Sequence, residues 1–226
     1  MRFAANIFLV VKKDLLLELR GKEALSIMIF LSLLLLVVFN LAVDINRDNV
    51  SELVSGILWV IFAFSGILGM GKTSLSERDD DAYLNVVFSS VSMESFFFAK
   101  VLSNLLFLMI MELFTIVFFV VLFDYERLFS ALPGLSIPLL LGSFGFSVVG
   151  TLFSFLSTGS RFGEIILPLL FLPLVVPVLI GGVSSTDIIL NGSAGDTPGK
   201  WLKILLVFDM LYLSISLILF RYLVEE

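Results

Sequence analysis

The chain contains no cysteine and no histidine. Without cysteine there is no disulfide framework and no thiolate site for zinc or an iron–sulfur cluster. Without histidine the commonest general base and the usual axial ligand of haem iron are missing too. No acid/base pair or nucleophile arrangement stands in for them, so no catalytic group and no metal site is expected. Charge is also scarce, at 15% of residues against about 25% in an ordinary soluble domain. The 14 basic residues are scattered, which excludes the clustered basic face of a nucleic-acid binder. What abounds is apolar: 59% of the 226 residues are hydrophobic, 24 of them phenylalanine, and the mean hydropathy is +1.10. A chain of this length buries one core, but not this much apolar surface, so lipid must serve as part of its solvent.

A helix needs roughly 20 apolar residues to cross about 30 Å of hydrocarbon. Six such stretches are predicted, at about 24–43, 53–71, 101–123, 136–157, 165–183 and 201–221. The start of the fourth is set by Pro133, Gly134 and Pro138, which are read as breaking the helix. The fifth is taken to end at Gly181-Gly182. The alternating pattern of a membrane barrel is absent, and an open sheet would leave backbone groups unpaired in lipid. The fold class is therefore an all-α membrane protein, a single transmembrane domain over 1–226. The first apolar run is too long for the core of a cleavable signal and is expected to be a retained span.

An even number of spans puts both termini on one side. That side would carry Arg2, Lys12, Lys13, Arg20, Lys22, Lys72, Arg78, Lys100, Arg161 and Arg221, and the other only Arg47, Arg127, Lys200 and Lys203. The positive-inside rule makes the richer side cytoplasmic.

Two cytoplasmic segments are long enough to have a task. In residues 2–22, Phe3, Ile7, Val10, Val11, Leu15 and Leu19 recur at helical spacing, with Lys12, Lys13, Asp14, Glu18 and Lys22 supplying charge. This predicts an amphipathic helix lying in the interface before the first span. Residues 72–100 carry an acidic cluster at Glu77–Asp81, then Tyr83, Leu84, Val86, Val87 and Phe88, and a second apolar patch at Phe96–Phe98. An acidic helix start with an apolar face suits docking on a soluble partner.

Gly66–Thr73 matches the phosphate-loop pattern GxxxxGK[ST], and Ile204–Asp209 imitates the apolar strand and aspartate that accompany it. The pattern binds phosphate only where a strand feeds a loop that opens a helix. Here it sits at the end of a span, where small residues serve close helix packing. Two acidic residues, Glu112 and Asp209, fall inside spans at a cost of roughly 2.5–3.5 kcal/mol each, so both should face the bundle interior or a partner. Either is a candidate lining group for a substrate path or a packing residue. Pro168, Pro173 and Pro177 make the fifth span a candidate flexible element.

Three stretches carry a resemblance to a known family: residues 12–30, KKDLLLELRGKEALSIMIF; residues 76–101, SERDDDAYLNVVFSSVSMESFFFAKV; and residues 161–182, RFGEIILPLLFLPLVVPVLIGG. The chain resembles CcmB, the membrane permease subunit of the cytochrome c maturation (haem exporter) ABC complex. Where the family usually has a proline after the helix of the second stretch, this chain has Ser89-Ser90-Val91. The resemblance implies an ABC-2-type permease in the cell's inner (plasma) membrane, coupled to a separate CcmA-like ATPase that binds the ATP. CcmC- and CcmD-like membrane subunits, a CcmE-like haem chaperone and a second copy of the chain are the other partners it implies. Haem is the implied substrate of the complex and not a cofactor of this chain. The acidic loop is then the dock for the ATPase, with Asp79, Asp80, Asp81, Tyr83, Leu84 and Val87 as its contacts. An ABC-2 exporter of another hydrophobic substrate and a non-transporting assembly scaffold are the alternatives.

Overall fold

The computed structural model describes residues 2–42, 47–79, 92–158, 163–192 and 197–225. These residues form seven helices and no strand: α1 (Arg2–Gly21), α2 (Glu23–Ala42), α3 (Arg47–Asp79), α4 (Met93–Phe123), α5 (Arg127–Thr158), α6 (Gly163–Asn191) and α7 (Pro198–Glu225). All but α1 are long and apolar enough to cross a membrane. The chain is thus a multi-pass helical membrane protein.

At the α1–α2 elbow a single residue, Lys22, takes the left-handed conformation with φ 54°, and the chain turns directly from one helix into the next. Glu18 secures this elbow from within α1: its Oε1 accepts from the Leu25 backbone N–H at 2.7 Å, satisfying a donor that the first turn of α2 leaves without an intrahelical partner. Glu18→Ala should therefore lower the melting temperature of the detergent-solubilised protein, by the equivalent of about 1 kcal/mol, whereas Lys22→Gly should leave it unchanged or higher.

α5 is the central helix and packs on α3, α4, α6 and α7, while α2 lies against α3 and α4, and α1 against α4. The heart of the bundle is Trp59 of α3. Its indole stacks on Phe146 of α5 at 6.4 Å between ring centroids, meets Phe62 edge-on, and donates Nε1–H to Thr186 of α6 at 3.0 Å. The indole fits because glycines face it from both neighbours. A Cβ on Gly142 of α5 would come within 2.1 Å of the ring, and one on Gly182 of α6 within 2.5 Å. Small residues that let helices approach are the usual packing device where both alternatives, lipid and protein, are equally apolar.

Among the boundaries that differ from those read in the sequence are the start of α5 and the end of α6. α5 begins at Arg127 and continues through Pro133 and Pro138. Leu128 and Leu135 are fully buried in the core on that first part of the helix, so tertiary packing outweighs the two missing backbone donors. α6 likewise runs past Gly181-Gly182 to Asn191, because those glycines seat Leu205 and Trp59 and do not end the helix. The stop is Gly192, with φ 69°, whose N–H reaches the Ile188 carbonyl at 3.0 Å.

Candidate functional site

The ends of the helices define two poles. At one, Lys72 near the end of α3 pairs with Glu23 at the start of α2 at 3.2 Å, and Lys100 of α4 pairs with Asp14 of α1 at 2.8 Å. At the other, Asn40 Nδ2 of α2 donates to the Leu122 carbonyl of α4, and Asn191 Nδ2 of α6 to the Ser51 carbonyl of α3. The segment between α3 and α4 therefore leaves and re-enters the bundle at the α1 pole.

Much of the 72–100 stretch is helix and not loop. α3, 33 residues long and so about 50 Å, extends through Lys72 to Asp79. α4 starts at Met93, capped by Ser92, whose hydroxyl accepts from the Ser95 N–H. Phe96 and Phe97 are not an exposed docking patch, as the sequence suggested. They are 2% and 0% exposed and pack with Phe155 of α5 and Phe220 of α7. A phenylalanine patch beside a lysine looks alike in sequence whether it meets solvent or a neighbouring helix. Asp79 is the last residue of α3, while Asp80, Asp81, Tyr83, Leu84 and Val87 lie outside the described residues.

The phosphate-loop look-alike is helical throughout, so its backbone N–H groups are directed along α3 and cannot converge on a phosphate. Gly66 instead faces Leu108 of α4, and its neighbour Gly69 faces Met28 of α2. Ile204–Asp209 is helix as well. Lys72→Met should accordingly leave any ATP-dependent activity of the assembled protein intact, since it removes only an exposed ion pair worth about 0–1 kcal/mol. Loss of nucleotide turnover in that variant would contradict the helical reading.

The two intramembrane acids flank the middle of α5. Glu112 of α4, 4% exposed, accepts from the Ser143 hydroxyl. Asp209 of α7, 1% exposed, lies against Gly145 of α5, and neither of its carboxyl oxygens has a hydrogen-bond partner among the described residues. Further along the α4–α5 contact, Asn104 Nδ2 donates to Thr151 Oγ1 at 2.9 Å. Ser143, Ser147, Thr151 and Ser154, spaced by four, four and three, give α5 a buried polar stripe, with Glu112 and Asn104 bonded to two of its members. α6 is a continuous helix across Pro168, Pro173 and Pro177. The Tyr212 hydroxyl donates to the Leu174 carbonyl three residues before Pro177, where a proline loosens the backbone ladder.

Sequence reasoning missed the role of Asp14 and Glu18. Both were read as part of the charged side of α1, yet they are 8% and 9% exposed and point into the bundle with Val11. The signal was available: Val11, Asp14 and Glu18 are spaced i, i+3, i+7, on the same arc as Ile7 and Leu15. Asp14 Oδ2 accepts from Lys100 Nζ at 2.8 Å and from Ser103 Oγ at 3.0 Å, so the carboxylate is buried with a charge partner and a second donor. Among the described residues there is no cluster of histidine, cysteine or acidic side chains able to hold a metal ion.

The family model described as CcmB protein matches residues 5–221. The chain belongs to the CcmB family. Two curated relatives extend this CcmB-family match. Heme exporter protein B of Pseudomonas aeruginosa is 28% identical over 200 residues, covering 88% of each chain. Heme exporter protein B of Rhodobacter capsulatus is 28% identical over 188 residues, covering 82% of this chain and 83% of its own. A CcmB-family chain with six membrane-length helices is a transport subunit of the permease kind.

Proposed function

We propose that this chain is the ABC-2-type permease subunit of a complex for cytochrome c biogenesis, in which ATP hydrolysed by a separate subunit drives haem export or the release of a haem-loaded chaperone. The observation that carries this reading is the family match across residues 5–221, joined by relatives named for haem export over more than four-fifths of the chain. The helical state of Gly66–Thr73 supports placing the ATPase elsewhere. The chain itself holds no cofactor in this reading, and haem is cargo.

The docking site for the ATPase is the acidic cluster Asp79, Asp80 and Asp81, which begins at the last residue of α3, with Tyr83, Leu84 and Val87. Its support is position: α3 ends at the α1 pole, the side to which counting the spans assigns ten of the 14 basic residues. By the positive-inside rule that pole is cytoplasmic, both termini lie there, and the membrane is the inner (plasma) membrane. The partners are a CcmA-like ATPase, CcmC- and CcmD-like membrane subunits and a CcmE-like chaperone. Affinity purification of the full-length chain from its native membrane tests the assignment. Recovery of an ABC ATPase together with a haem-handling membrane subunit supports it. Recovery of an ATPase with partners of another export system would reassign the substrate, and recovery of no ATPase would overturn the permease reading.

A further inference from the structure

The α1–α2 elbow is tied to both helices that carry the 80–91 segment. On the α3 side the tie is the exposed pair Lys72–Glu23 at 3.2 Å. On the α4 side it is buried: Asp14 Oδ2 receives Lys100 Nζ and Ser103 Oγ, and Ser103 also donates to its own helix at the Ala99 carbonyl. Phe3 of α1 meets Phe98 edge-on, 6.2 Å between centroids, extending the contact to the first turns of α4. Glu18 then fixes α1 to α2 through Leu25. α1 makes its main contact with α4 and only a slight one with α2, so its position is governed by α4. Exposed pairs are weak, whereas breaking a buried, hydrogen-bonded pair by removing one partner is strongly destabilising, so this buried contact is the firmer of the two ties.

We infer that the Asp14–Lys100–Ser103 cluster is a brace that makes α1 and the root of α4 move as one body, so that load applied to the segment between α3 and α4 is delivered to the α1–α2 elbow. This deepens the permease reading and rests on it. Asp14, Lys100 and Ser103 act as positioning residues; they touch neither nucleotide nor cargo. A residue serving only to anchor a topology helix would have no reason to be a buried carboxylate, since a leucine would pack on α4 without the cost of desolvation.

The chain has no cysteine, so a pair of introduced ones gives a clean distance. Spin labels on Leu9→Cys and Ile180→Cys, both at exposed positions, are attached before the chain is assembled with its ATPase in lipid. ATP should shift the α1–α6 distance distribution in the otherwise unsubstituted chain. In Asp14→Asn, which keeps the acceptor but not the charge, the shifted population should fall about tenfold while ATPase capture is unchanged. The charge swap Asp14→Lys with Lys100→Asp should restore it. An undiminished shift in Asp14→Asn, with capture intact, overturns the brace alone, as does a swap that fails to recover the shift although folded and captured. Failure of the unsubstituted chain to capture the ATPase overturns the docking reading, and the brace with it.

Discussion

Gly142→Ala and Gly182→Ala will each destabilise the bundle by about 1–3 kcal/mol, although alanine is the better helix former at both positions. The added methyl would sit 2.1 Å from the Trp59 ring in one case and 2.5 Å in the other, distances at which something must shift. Trp59 cannot yield easily. It is 0% exposed, donates to Thr186, and is flanked by Phe62 and Phe146. Trp59→Ala will cost about 3 kcal/mol, the lower end of the usual range, because the separated helices remain in lipid and recover part of the apolar solvation. The decisive result is the double variant. In the Trp59→Ala background, Gly142→Ala should cost almost nothing, since the residue it collides with is gone. Thermal unfolding in detergent measures all of these, and additive losses in the double variant would contradict the seating of the indole.

Replacing Asp79, Asp80 and Asp81 together by lysine will abolish capture of the ATPase while leaving the bundle's melting temperature unchanged. Asp79 is the last residue of α3 and Asp80 and Asp81 come next in the chain, so their reversal is expected to remove attraction to the partner and to spare the core that α2 to α7 build. Like-charge juxtaposition at an interface costs several kcal/mol, and a loss of about 4 kcal/mol weakens binding roughly a thousandfold. Capture should also fall with salt in the unsubstituted protein, because exposed charges are screened beyond about 8 Å at physiological ionic strength. Capture by the triple variant equal to that of the unsubstituted chain would place the dock elsewhere.

The helices that cross the membrane were legible because their signal is length and hydropathy, which depend on lipid and not on neighbours. Their ends were less so. Pro133 and Pro138 read as breakers by local rules, and only the burial of Leu128 and Leu135 against other helices shows why the helix persists around them. Gly181 and Gly182 read as a terminus, whereas their role is set by the side chains of Trp59 and Leu205, far away in sequence. The interior position of Glu112 and Asp209 followed from the cost of charge in hydrocarbon. The partner of Glu112, Ser143, did not, because it sits on a helix that local pattern cannot dock. Asp14 was hidden for a different reason. A charge on a surface helix is ordinarily solvated, and only Lys100 on α4 gives it a reason to face inward.

The measurement that bears most directly on the permease account is the appearance of haem, free or on a soluble chaperone, on the far side of proteoliposomes that contain the chain and its ATPase. The account predicts appearance that requires ATP, stops with a non-hydrolysable analogue, and is lost when this chain is omitted or carries the three lysine substitutions. Appearance that is independent of ATP, or that persists without this chain, would contradict it.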